Sequence, residues 1–157
     1  MIRQATAADA AAIGAIWNPL IRETTITFDT REKTVADIAA LIAGRPAFLV
    51  AEAGGIAGLA TYGPFRGGTG YALTGEHTVI LAAPVRGRGI GRALMAGIED
   101  HARARGLHAM VAAVSAENAA GIGFHAALGY SAVGRMPEVG FKFGRWIDLV
   151  LMQKLLA

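Results

Sequence analysis

The sequence predicts an α/β protein of the α+β kind, with a mixed central sheet of about six to seven strands and helices on both faces. Three observations carry this. Apolar strand-like runs alternate with helical patterns only in part, so the strands cannot all be parallel. The chain has 157 residues, enough for one domain (1–157) with a sizeable core. Hydrophobic residues make up 54% and charged residues 17%, a balance that excludes a disordered chain.

The elements follow in order. Residues 2–4 form a first short strand. Thr6 with Asp9 reads as a helix N-cap with an acid in the first turn. Ile13, Ile16, Trp17 and Leu20 then share one face, and Pro19 is expected to bend or end that helix. Thr34 and Asp37 repeat the start signal, Ile38, Leu41 and Ile42 supply the apolar face, and Gly44 before Pro46 is the stop. Residues 48–53 and 56–62 are strands of a hairpin turned at Gly54-Gly55, and residues 77–83 are another apolar strand. Residues 89–105 form the strongest helix, with Ile90, Leu94, Ile98 and Ala102 in a stripe and Glu99 paired to Arg103 one turn on. Gly106 fits its C′ position. A buried strand (107–114), a short helix (118–128) closed by Gly129, and strands at 130–135 and 146–155 complete the order β-α-α-β-β-β-α-β-α-β-β.

Composition narrows the chemistry. There are no cysteines, which removes disulfide frameworks, thiolate metal sites and cysteine nucleophiles. The only serines are Ser115 and Ser131, neither in a G-x-S-x-G elbow. His77, His101 and His108 lack metal-ligand spacing, so no metal is expected. The longest uncharged run, 118–134, is broken by glycines and His125, and no basic-then-apolar leader opens the chain. A cytoplasmic protein without a membrane partner is the expectation. Net charge is +3, with 12 arginines among the 15 cations, an excess too small to imply nucleic-acid binding.

The sharpest local feature is Arg86-Gly87-Arg88-Gly89-Ile90-Gly91-Arg92, between an apolar strand and the strongest helix. Glycines let successive N–H groups approach an anion, the helix N-terminus adds its dipole, and Arg86, Arg88 and Arg92 add charge. The pattern describes a cradle for a pyrophosphate or several phosphates. It lacks the Gly-Lys-Ser/Thr of a Walker loop, and its spacing and mid-chain position fit a dinucleotide fingerprint poorly. The plainer alternative is a solvated Arg/Gly-rich turn.

Arg86-x-x-Gly89-x-Gly91 is similar to the R/Q-x-x-G-x-G/A motif of the GNAT family of N-acetyltransferases, which wraps the pyrophosphate of acetyl-coenzyme A. The segment Asn118-x-x-Gly121-x-x-x-His125-x-x-x-Gly129-Tyr130 resembles the same family's N-x-x-(small)-x-x-x-(Y/H)-x-x-x-G-(F/Y) element, whose Asn helps hold the pantetheine arm. Residues 25–28, 62–66, 74–79 and 140–148 resemble the phosphinothricin / methionine sulfoximine N-acetyltransferase branch, so the likeness spans nearly the whole chain. Gly-x-Lys142-Phe143-Gly144-Arg145-Trp146 is closer to the methionine sulfoximine type. The phosphinothricin type usually has His where Phe143 stands, and an arginine of its substrate loop matches Gly68.

The resemblance implies a GNAT fold, acetyl-coenzyme A as co-substrate, and the α-amine of a small amino acid-like molecule as acceptor. It makes Glu76 the general base that deprotonates the amine; the plain alternative is an exposed strand-end carboxylate. His125 matches a position close to the departing sulfur, where it would protonate the thiolate or assist the base; it equally suits a partly buried structural histidine. Val79, Ile80 and Leu81 lie on the strand that the family sets beside the pantetheine, with a backbone N–H polarising the thioester carbonyl. With the loop 86–92 and Asn118, they make up the expected co-substrate site. Phe28, Arg66 and Tyr71, with Glu76, are candidates for the acceptor pocket, Arg66 for a carboxylate. Without a cysteine, transfer would be direct. Resembling proteins are dimers, so residues 140–148 are expected at a homodimer interface or, failing that, in an ordinary hairpin. The rival readings are acetylation of peptide or protein amines and a non-catalytic acyl-coenzyme A-binding module.

Overall fold

The computed structural model describes residues 1–157. Eleven principal elements follow the expected order: β1 (Ile2–Gln4), α1 (Ala10–Glu23), α2 (Val35–Gly44), β2 (Ala47–Glu52), β3 (Ile56–Pro64), β4 (Thr74–Leu81), α3 (Ile90–Ala104), β5 (Ala109–Ser115), α4 (Ala119–Ala127), β6 (Ser131–Lys142) and β7 (Arg145–Leu155). The strands make one seven-stranded sheet in the order β1-β2-β3-β4-β5-β7-β6. Every neighbouring pair is antiparallel except β4 and β5, which run parallel.

That parallel pair is the feature on which the site is built. Its ladder joins only Thr74–Glu76 to Ala109–Val111. Beyond Glu76, β4 stays paired to β3 as far as Leu81, and β5 stays paired to β7 as far as Ser115. The two strands therefore diverge, and backbone groups on their facing edges have no ladder partner there.

A core lies on each face. On one, Ile13, Trp17, Ile21 and Ile38 of α1 and α2 pack on Phe48, Val50, Leu59 and Ile80. On the other, Leu94, Met95, Ile98 and Ala102, the predicted stripe of α3 in large part, pack on Tyr62, Met110, Ala112, Val114 and Met152. The start signals hold. The Thr34 hydroxyl accepts from the Asp37 amide at 3.0 Å while the Thr34 amide donates to the Asp37 carboxylate at 2.8 Å. Asp9 accepts from the Thr6 amide at 2.8 Å and from both Arg3 terminal nitrogens.

Two expectations are corrected. Pro19 does not end α1, which continues to Glu23; proline removes one ladder bond, but Trp17 and Ile21 on either side of it are held in the core. The sixth strand runs to Lys142 rather than 135, because two register shifts absorb Val133 and Pro137–Val139 on an edge strand that needs no outer partner. The expected Glu99–Arg103 pair forms, and Glu99 has further partners. It is 4% exposed, accepts from Lys154 at 2.6 Å and from the Tyr130 hydroxyl at 3.1 Å, and meets Arg103 at 3.5 Å. Phe143 and Gly144, with φ of 54° and 74°, form a two-residue mirror-image turn between the paired Lys142 and Arg145.

Candidate active site

The cradle is built as the glycine pattern requires. Gly87 and Gly89 have φ of 77° and 83°, conformations that side chains rarely adopt, and Gly89 is the left-handed residue from which α3 starts. The first-turn N–H groups of α3 thus open toward the end of β4. Arg86, Arg88 and Arg92 are exposed around that opening, and an Arg86 terminal nitrogen donates to the Leu81 carbonyl at 3.4 Å. The cradle continues into a cavity of about 280 Å³ lined by Leu20, Ile26, Val79–Leu81, Arg86, Gly87, Asn118, Gly121, Phe124 and His125, among others. Its walls are apolar apart from Arg86 at the cradle end, Asn118, His125 and the strand backbone, which suits a long thin arm ending in a thioester. The donors, the dipole and the unpaired strand edge together fit a pyrophosphate-bearing thioester co-substrate.

Asn118 caps α4, its side-chain oxygen accepting from the Gly121 amide at 2.9 Å, which leaves its amide NH₂ to donate elsewhere. Asn118→Ala is expected to lower the melting temperature by about 2–4 °C, the effect of losing a cap worth about 1 kcal/mol. It should also raise the KM for acetyl-coenzyme A, and a thermal melt with saturation kinetics checks both.

A second cavity, about 310 Å³, adjoins the first across the diverging strands. Trp17, Ile26, Thr27, Phe28 and Asp29 form one wall, Glu76–Ile80 another, and Ala112–Ser115 a third. Strand alternation divides the titratable groups between the two faces. Glu76 pairs with Gly63, and Ile80 with Leu59, so Glu76, Thr78 and Ile80 point toward α1 and α2. His77 points the other way, toward α4. The Glu76 carboxyl is half-buried, and desolvation raises its pKa above the ordinary carboxylate value, with the Arg45 charge opposing. That is the direction a general base for an amine requires.

On the α4 side His125 and His77 are both buried and stacked, ring centroids 5.0 Å apart. His125 Nδ1 lies 2.7 Å from the Gly121 carbonyl and must donate to it; His125 Nε2 then accepts from His77 Nε2 at 3.1 Å. Both ring nitrogens of His125 are thus engaged within the protein. His77 is left with a buried Nδ1 lone pair and no partner, and burial pushes its pKa down to about 3. The pair is uncharged at neutral pH.

Comparison with known proteins agrees with this geometry. The acetyltransferase (GNAT) domain description matches residues 2–151. The chain belongs to the GNAT acetyltransferase family. It is 40% identical over 158 residues to the L-methionine sulfoximine/L-methionine sulfone acetyltransferase of Pseudomonas aeruginosa, covering 97% of this chain and 92% of that protein. It is 35% identical over 158 residues to the phosphinothricin N-acetyltransferase of Streptomyces viridochromogenes, covering 98% and 86%. Among solved structures it resembles the acetyltransferase yncA of Salmonella typhimurium with its cofactor acetyl-CoA, with a TM-score of 0.94 and 37% identity over 100% of this chain and 94% of that one.

In this GNAT enzyme the structure gathers most of the expected residues, with Arg88–Arg92 outside both cavities around the start of α3 and two acceptor candidates standing apart. Val79–Leu81, Arg86, Gly87, Asn118 and His125 share the first cavity; Phe28 and Glu76 meet in the second. Arg66 and Tyr71 line neither. Tyr71 is 43% exposed, packs edge-on against Phe65, and carries the Arg66 guanidinium 5.4 Å above its ring. His77 was noted in the sequence only for lacking metal spacing, because its stacking on His125 joins residues 48 positions apart. The segment Ile26–Asp29 could be recognised only through Phe28 and its family likeness, since nothing in its composition marks a cavity wall.

Proposed function

We propose that this enzyme transfers the acetyl group of acetyl-coenzyme A directly to the α-amine of a small amino acid-like acceptor, of the methionine sulfoximine, methionine sulfone or phosphinothricin type. The observation that carries the proposal is Glu76, a half-buried carboxylate on the wall of an acceptor-sized cavity, where the diverging strands open toward the thioester channel. Glu76 takes a proton from the amine; the amine nitrogen bonds to the acetyl carbon, the C–S bond breaks, and coenzyme A leaves with its sulfur reprotonated from solvent or the acceptor. A backbone N–H near Leu81, on the unpaired edge of β4, polarises the thioester carbonyl. Residues 86–92 hold the pyrophosphate and Asn118 the pantetheine. Phe28 walls the acceptor, while Arg66 and Tyr71 act at its approach. Of the two roles weighed for His125, the structural one is favoured, because neither ring nitrogen is free to serve a departing sulfur.

The working enzyme is proposed to be a cytoplasmic homodimer. No helix is long and apolar enough to cross a membrane. The edge strand β6, its turn and the start of β7 expose Val133, Met136, Val139, Phe141, Phe143 and Trp146, which a second copy would cover.

The test is release of free coenzyme A thiol with methionine sulfoximine, methionine sulfone, phosphinothricin, common amino acids, short peptides and polyamines. Turnover of free amino acids is expected. Turnover of peptides alone would favour protein acetylation, and binding of acetyl-coenzyme A without turnover of any amine would make the chain a binding module.

A further inference from the structure

Glu76 has one cationic neighbour on its own face of the sheet, and that neighbour has no partner. Arg45 follows the last residue of α2, and Pro46 leads the chain into β2. Its side chain is half-buried and lies flat along β3. A Cβ placed on Gly63 would stand 2.8 Å from its Nη1, 3.2 Å from its Cζ and 3.4 Å from its Cδ. The absence of a side chain at Gly63 is what admits the guanidinium. Gly63 is the cross-strand partner of Glu76. Directly opposed residues leave an antiparallel pair on the same face, with their Cβ atoms about 5 Å apart. Arg45 therefore fills the position that a side chain neighbouring Glu76 would occupy.

The two groups do not neutralise one another by contact. Arg45 acts on Glu76 through its charge and forms no ion pair with it or with any other carboxylate, and its guanidinium donates no hydrogen bond to the chain. The other arginine and lysine side chains near the acceptor cavity are committed. Lys33 lies over Trp17 and pairs with Asp29, Lys142 donates to the Thr27 carbonyl at 2.8 Å, Arg145 is bonded to Glu117, and Arg66 sits over Phe65 and Tyr71. A half-buried guanidinium presenting five donors beside a carboxylate is the electrostatic complement of a zwitterion, with the ammonium toward Glu76 and the anion toward Arg45.

We infer that Arg45, which flanks Glu76 across β3 and lines neither cavity itself, is the anion-recognising residue at the edge of the acceptor site, selecting amines that carry a carboxylate, or an equivalent anion, next to the reacting nitrogen. This rests on the acceptor reading above and assigns the acceptor's charge to a residue outside every motif in the sequence. It separates an amino acid from its amide or its decarboxylated amine, whose hydrocarbon parts fill the same cavity.

The experiment compares wild type with Arg45→Gln and Arg45→Lys on matched acceptors, L-methionine sulfone and its carboxamide. KM and kcat are measured for both, together with calorimetric binding of both to the enzyme saturated with coenzyme A. Arg45→Gln should raise the KM and the dissociation constant of the amino acid by about 10–100-fold, the effect of losing a charge-assisted bidentate contact. At a pH above the acid limb set by Glu76, its kcat should stay within about threefold, and neither constant for the carboxamide should move. Arg45→Lys should recover part of the loss, since it keeps the charge but not the fork. Equal changes for both acceptors would reduce Arg45 to a packing role, and unchanged constants for the amino acid would overturn the inference. If wild type bound the amino acid without acetylating it, the acceptor reading would fail while the calorimetric comparison still decided the role of Arg45.

Discussion

Glu76→Gln is expected to lower kcat by about 10²–10⁴-fold, the usual contribution of a positioned general base, with the KM for acetyl-coenzyme A unchanged. The substitution keeps the shape of the side chain and removes its capacity to take a proton. The amine arrives protonated at neutral pH, and nitrogen without a lone pair cannot attack a thioester, so the lost function lies in the chemical step rather than in binding. The pH dependence adds a second signature. As the proposed base Glu76 would work only as the carboxylate, and its pKa is raised by burial, with Arg45 pulling the other way. The acid limb of kcat/KM in wild type should therefore lie above the ordinary carboxylate value of 4.5. Activity should rise with pH as Glu76 loses its proton. In Glu76→Gln that limb should disappear, leaving only the titration of the acceptor amine. Rate against pH from about 4 to 9, the span over which such a group and a weakly basic amine titrate, checks both statements.

Lys154→Met is expected to destabilise the fold by about 2–3 kcal/mol, and so to lower the melting temperature by about 5–10 °C. Glu99 is almost wholly buried and its carboxylate is held by Lys154, Tyr130 and Arg103 together. Removing the lysine strands a charge on the sheet face of α3. The cost is set below that of a fully enclosed pair because the Lys154 side chain is 24% exposed and Arg103 remains nearby. The double variant Glu99→Gln with Lys154→Met removes the stranded charge and should recover most of the loss, since a neutral amide can still accept from Tyr130. Thermal melts of the single and double variants make this a complete cycle. No recovery in the double variant would mean that the lysine acts through packing alone.

The residues that sequence made legible are those whose meaning is local. The cradle at 86–92 is contiguous, and its glycines are required by backbone angles that can be anticipated from composition and position. Asn118 is readable because it begins a helix and carries a side chain that caps one. The Thr34–Asp37 box is readable for the same reason. What stayed hidden depends on which strands become neighbours. The approach of Arg45 to Glu76 passes through Gly63, and the contact exists only once β3 pairs with β4 in that register. Helical periodicity placed Glu99 one turn from Arg103, but it could not show that the carboxylate turns inward to a lysine 55 residues away. The wedge between β4 and β5 has no sequence mark, since both strands are fully paired on their other sides. Glu76 itself emerged from family likeness; its proposed chemistry as a base rests on the half-buried position that the pleat of β4 gives it.

Acetyl transfer without a covalent enzyme intermediate is tested most directly by initial rates measured while acetyl-coenzyme A and L-methionine sulfone are varied together, with the product identified by mass. Intersecting double-reciprocal lines, and N-acetylated amino acid formed mole for mole with coenzyme A thiol, are the predicted result. Parallel lines with an acetylated protein accumulating in the absence of acceptor would contradict it.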